Sequence, residues 1–188
     1  VHLPELILFG KSAFAFHCWD LLWQLGGAFF LYRLVEETVS RQAAWLAVVS
    51  VAVYYLSLDN LFVGQRDGFA TVTILGTLWL IRKEKSYAAI LSGLSCGIAV
   101  IIRPTNEVYV AAICLILLLE KSSWPQVIRA AVFAVSAQFW LVLFMLYYVA
   151  QGWFTEFYTI VFRFNTEVYA HTQSLSTLLY PFPHYWIF

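Results

Sequence analysis

Arg66, Asp67, Arg103 and Glu107 are the residues of this chain whose types and spacing invite chemistry. Arginine stays charged at any physiological pH and presents a flat fork of N–H donors that suits phosphate oxygens. Two arginines at headgroup depth in a membrane would suit the phosphate of a lipid-linked substrate. An acidic residue beside them could take a proton from an attacking hydroxyl as a general base. It could equally hold a divalent metal, Mg or Mn, bridging to the phosphate. Asp67 is the candidate for both the catalytic and the metal-binding role, with Gln65, Arg66, Arg103, Glu107, His17 and Asp20 as substrate-binding candidates. The plainer reading pairs Arg66 with Asp67 and Arg103 with Glu107 at helix ends and nothing more. Adjacent residues on a helix do not face each other, which weakens the first of those pairs. His17 and Asp20 lie three apart and share one helix face; their plainer role is a hydrogen-bonded pair between helices.

Composition decides what must position these groups. Of 188 residues, 62% are hydrophobic and only 12% charged, against about 25% charged in an ordinary soluble domain. Mean hydropathy is +0.75. A chain this apolar cannot cover itself with polar surface in water, so an integral membrane protein is expected. The formal net charge of zero gives no case for nucleic acid as a partner. Many of the eight Trp and eleven Tyr fall near the ends of apolar runs, where an amphipathic ring suits the headgroup zone. Cys18, Cys96 and Cys114 each lie inside an apolar run with no metal-ligand or CxxC spacing, as small packing residues do. There is no Gly-rich phosphate loop or HExxH motif.

The pattern predicts an all-α polytopic transmembrane bundle of about six spans, forming a single transmembrane domain over residues 1–188. The spans fall near residues 13–34, 43–58, 61–81, 87–102, 106–119 and 130–150, with an outer interfacial segment over 151–180. Residues 1–12 read as a short interfacial segment or loop end. The third span is a short one. Its apolar core, 69–81, reaches only about 20 Å of the roughly 30 Å of hydrocarbon. A start inside NLFVGQRDG (Asn60–Gly68), near Leu61, would set Arg66 and Asp67 at shallow membrane depth. A polar hinge is expected from Glu36 to Gln42, and basic turns at RKEKS (82–86) and KSSWPQVIR (121–129). Gly93 and Gly97 have the GxxxG spacing that lets another helix approach closely. Pro104 lacks an N–H and should break the chain at RPTNE (103–107). Aromatic residues at three- and four-residue spacing from Trp153 to Phe162 predict a helix lying on the interface.

Strict alternation puts Arg33, Arg41, Arg82, Lys83, Lys85, Lys121 and Arg129 on one side, and Lys11, Arg66, Arg103 and Arg163 on the other. The positive-inside rule then assigns the first group to the cytoplasm and the two unusual charged breaks to the outer face. The chain begins at Val1 and ends at Phe188 within an aromatic run, which reads as a fragment of a longer protein.

The run LFGKSAFAFHCWDLL (8–22), followed by a helix ending LYRLV, resembles the second-helix region of the GT-C glycosyltransferases. That superfamily includes the protein O-mannosyltransferases and the aminoarabinose transferases of lipid A. Leu8-Phe9-Gly10-Lys11-Ser12 matches the family's LG-S stretch, although His17 stands where an arginine is more usual. Gly93-Leu94, Gly97-Ile98-Ala99 and Arg103-Pro104 are similar to the run closing a later helix of that family. The resemblance implies transfer of a sugar from a polyprenyl-phosphate donor to an acceptor on the outer face, by a multi-pass protein of the bacterial inner (plasma) membrane. It implies that Asp67 matches an acidic position of the second outer loop that helps hold donor phosphate or metal. It also implies that the main catalytic Asp lies upstream of the residues present. A transporter or flippase of a lipid-linked or small polar substrate is the other functional reading, with the break at Pro104 lining its path. A structural subunit whose charges anchor helix ends is the third.

Overall fold

The computed structural model describes residues 12–57, 66–83, 85–120, 123–159 and 163. All regular structure among them is helical, with no strand. The chain divides into two compact units, residues 1–141 and 142–188, the boundary falling within one long helix.

In the first unit, α1 spans Ala13–Thr38, α2 Arg41–Ser57, α3 Arg66–Ile81, α4 Ser86–Ile102 and α5 Glu107–Glu120. Helix α6, Trp124–Ala150, begins here. Ser12 caps α1, its hydroxyl accepting from the Ala15 N–H at 3.0 Å, which satisfies one of the orphan donors of the first turn. The hinge expected over Glu36–Gln42 is shorter: α1 continues to Thr38 and α2 resumes at Arg41. Arg33 meets Glu36 at 3.1 Å and Glu37 at 3.2 Å, so these charges support one more helical turn instead of ending it. Ser40 then caps α2 by accepting from the Ala43 N–H at 3.2 Å.

Helix α6 starts before the expected residue 130. Ser123 O accepts from the N–H groups of Gln126 and Val127 at 3.0 and 3.1 Å. Pro125 falls in the first turn, where a missing N–H is harmless. Much of the expected basic turn is therefore helix.

Small residues bring the helices together. A Cβ on Gly93 would lie 2.5 Å from Phe133 O, and one on Gly97 2.3 Å from Ala137 O, so the GxxxG face of α4 meets the backbone of α6. Trp140 Nε1 donates to Leu94 O across the same seam at 3.0 Å. On another face of α4, Ser95 Oγ donates to Thr73 O at 2.8 Å and Thr77 Oγ1 to Ser92 O at 3.3 Å, tying α4 to α3. Phe133, Ala137, Cys96 and Ala99 are fully buried along these seams. All three cysteines are free.

Large apolar side chains face outward along the helices. Leu46, Val53 and Leu56 of α2 are 69, 62 and 82% exposed, and in that helix only Ala44 is buried. Among the described residues one helix, α6, is both long and apolar enough to cross a membrane, with a mean hydropathy of 1.9. Helices α3 and α4 contain shorter apolar stretches, Asp67–Ile81 and Tyr87–Ile102.

In the second unit α6 ends at Ala150, and Gly152, just beyond it, has a φ of 75°, readily adopted by glycine. Trp153 N–H donates to Tyr148 O at 2.9 Å and Gly152 N–H to Val149 O at 3.0 Å, the paired bonds of a Schellman stop. Helix α7, Phe154–Tyr158, follows, with Phe157 buried and stacked on Tyr148 at 4.8 Å between centroids. The remainder of the expected interfacial segment 151–180, Arg163 apart, lies outside the described residues, as do residues 58–65 and 1–11.

Candidate functional site

The site is built where α4 stops. Pro104 cannot continue the helix, and Arg103 adopts an extended conformation (φ −150°, ψ 111°). Backbone groups left open at this end are partly satisfied locally. Arg103 N–H donates to Ala99 O at 3.0 Å, and Asn106 Nδ2 donates to the same carbonyl at 2.9 Å. A 3-10 turn, Pro104–Asn106, then leads into α5.

This turn directs the Arg103 side chain toward the first turn of α3. Its Nη1 lies 2.7 Å from Asp67 Oδ1, and the two side chains are 53 and 62% exposed. Asp67 also sits where a helix N-terminus favours negative charge. An ion pair this exposed contributes at most about 1 kcal/mol to stability, so holding the fold together is a weak reason for its presence. The same exposure leaves it open to a ligand.

Asp20 of α1 is 1% exposed. Its Oδ2 accepts from the Tyr55 hydroxyl near the end of α2, and its Oδ1 from Gln24 Nε2 at 3.4 Å. The Gln24 amide abuts α3: a Cβ on Gly68 would stand 3.3 Å from Nε2. Beside this cluster an open apolar groove of about 270 Å³ is lined by Trp19, Leu22, Trp23, Gly26, Phe30 and Val72.

The remaining candidates are placed differently. His17 is exposed and meets Phe16 edge-on at 5.8 Å, while both Asp20 oxygens are engaged by Tyr55 and Gln24. Glu107 is half-buried and accepts from Gln138 Nε2 at 3.1 and 3.2 Å, so Arg103 and Glu107 have different partners. Gln65 and the side chain of Arg66 lie outside the described residues. Sequence reasoning did not single out Tyr55, Gln24 or Gln138. Two signals were present: Gln24 stands four residues after Asp20 on one face, and Gln138 interrupts an apolar helix, where a polar side chain needs a partner.

As for a metal, no group of three or more His, Cys, Asp or Glu among the described residues could hold one. A divalent ion at Asp67 would meet one carboxylate already turned to a guanidinium. The described residues do not by themselves make a metal site.

A second polar cluster occupies the other end of these helices. Lys83 Nζ donates to both Glu37 oxygens at 2.8 Å, and Trp79 Nε1 donates to Glu37 Oε1 at 3.1 Å. These bonds, the Lys83 bond foremost, hold the Glu37 carboxyl below its ordinary value. Arg129 donates to Ile81 O and, at 2.9 Å, to Lys83 O, covering carbonyls left open where α3 ends. Arg33, Lys83 and Arg129, three of the seven cations assigned to one side by alternation, thus gather at one end, and Arg103 stands at the other.

No curated protein and no solved structure matches the chain. The sequence model of glycosyltransferase family 87, however, matches residues 2–186. That span includes every residue of both clusters, and the chain belongs to glycosyltransferase family 87.

Proposed function

We propose that the chain forms one multi-pass transmembrane domain, of the GT-C type, in a bacterial inner membrane. It moves a sugar from a polyprenyl-phosphate donor to an acceptor hydroxyl at the outer face. The observation that carries this reading is the exposed Asp67–Arg103 pair at 2.7 Å, at the end opposite the cluster of Arg33, Lys83 and Arg129. Outward-facing Leu and Val side chains support the membrane setting. A transporter is the other reading of the sequence; family membership speaks for sugar transfer instead.

In the proposed reaction the acceptor oxygen attacks the anomeric carbon. The bond from that carbon to the phosphate oxygen breaks, and polyprenyl phosphate leaves with the bonding electrons. The acceptor proton passes to the Asp67 carboxylate. Arg103, with Arg66, neutralises charge growing on the departing phosphate. A guanidinium has five N–H donors, enough to serve a phosphate and Asp67 together. In the absence of donor, Asp67 keeps the fork aimed, which lowers the ordering cost of binding. The apolar groove beside the cluster would take the first isoprene units.

The test is transfer of radiolabelled sugar from polyprenyl-phosphate donors by membranes containing the full-length protein. Asp67→Asn and Arg103→Ala should each lower transfer ~10²-fold or more, as loss of a transition-state contact does. Wild-type turnover in both variants would remove the site assignment.

A further inference from the structure

We infer that Asp20 is a positioning residue for the Asp67–Arg103 pair, gathering α1, the end of α2 and the first turn of α3 through Tyr55 and Gln24. Asp20 is 1% exposed, and no ion pair among the described residues includes it. A buried carboxylate without a cation costs several kcal/mol, whereas leucine would fill the same space at no such cost. Packing therefore does not account for it.

Its bonds point to what does. One oxygen holds the Tyr55 hydroxyl, close to where α2 ends at Ser57. The other holds the Gln24 amide, which lies against Gly68, the residue following Asp67. Asp20 thus holds α2 directly, through Tyr55, and reaches α3 through the Gln24 amide packed against Gly68 in the turn that presents Asp67. Without it Tyr55 and Gln24 lose their acceptor, and the Gln24 amide that packs on the first turn of α3 is no longer anchored. A misplacement of about 1 Å in a reacting constellation can cost ~10²-fold.

The catalytic arm of the experiment rests on the donor-phosphate reading; the geometric arm does not. For the geometric arm, full-length Asp67→Cys/Arg103→Cys protein with Cys18, Cys96 and Cys114 replaced by Ala is bridged in membranes with a short bis-methanethiosulfonate, the same background carrying only one of the two introduced cysteines serving as control. Adding Asp20→Leu should lower the cross-linked fraction ~5-fold. Tyr55→Phe, which conserves volume, should lower it ~2-fold, and Asp20→Asn, which keeps an acceptor for Tyr55, should retain most of it. An unchanged fraction in both Asp20→Leu and Tyr55→Phe overturns the inference. Should Asp20→Leu not fold, Tyr55→Phe decides alone. In the catalytic arm, Asp20→Leu should lower transfer ~10-fold in the wild-type background and add little to Asp67→Asn, because coupled residues are non-additive. Losses that multiply overturn positioning through Asp67. A wild-type protein that transfers no sugar sinks the donor reading and leaves the cross-link to decide the geometry.

Discussion

Arg103 and Asp67 are 36 residues apart in sequence and 2.7 Å apart in space, and the chemistry proposed for them depends on both being accessible. Charge reversal separates a ligand clamp from a structural pair. If the pair only steadied helix ends, Asp67→Arg/Arg103→Asp would restore function. A phosphate clamp instead keeps the double variant inactive, because the carboxylate then stands where the phosphate must bind. Sugar transfer by the double variant distinguishes the two. At the opposite end, Glu37 makes a pH prediction. Its carboxyl is held below the usual glutamate value, first by the Lys83 hydrogen bond and then by that from Trp79. A depressed carboxylate stabilises the fold above its unfolded value, and that contribution is lost as pH falls through the lowered native one. Thermal stability should therefore drop more for wild type than for Glu37→Gln between about pH 6 and about pH 3. Solvent and salt screen a pair this accessible, so the difference is small. Equal drops would show that the Lys83 bond does not contribute.

Among the elements, the packing of α4 on α6 is the most sharply constrained. Added Cβ atoms at Gly93 and Gly97 would strike backbone oxygens at 2.5 and 2.3 Å, and a backbone atom cannot swing aside as a side-chain tip can. Gly97→Ala should destabilise the protein by about 1–3 kcal/mol, the usual range for overpacking. Gly26→Ala is the control: its Cβ would make an ordinary 3.8 Å contact with Val72 Cγ1. Unfolding in mixed detergent and SDS measures both; an equal response would remove the close approach from the account of the fold. The helices themselves were largely readable. Pro104 ended α4 where its missing N–H required, and the apolar runs fell close to the helices. Boundaries failed where charge was taken for a break. Glu36 and Glu37 pair back to Arg33 along α1, and Pro125 opens α6 instead of interrupting a turn.

For the whole molecule, the composition and the outward Leu and Val side chains ask for a hydrocarbon surrounding. The protein should stay with membranes after an alkaline carbonate wash, and its release into the supernatant would remove the membrane reading. Of the candidate site, the sequence singled out Arg66 and Asp67 as charges costly to keep near a bilayer without a partner or a task, and offered Arg103 and Asp20 among the substrate-binding candidates. It also anticipated the separation of basic turns from the Arg103 break, because alternating helices leave each turn only two ends to occupy. Helix type and break points follow from local chemistry: apolar runs, caps and a proline act within a few residues of themselves. Partner choice does not. That Arg103 takes Asp67 and not Glu107, that Gln138 takes Glu107, and that Asp20 turns inward to Tyr55 while His17 stays exposed depend on how α1 to α6 pack. Side-chain reach is a few ångströms, and only packing sets distances across helices that finely.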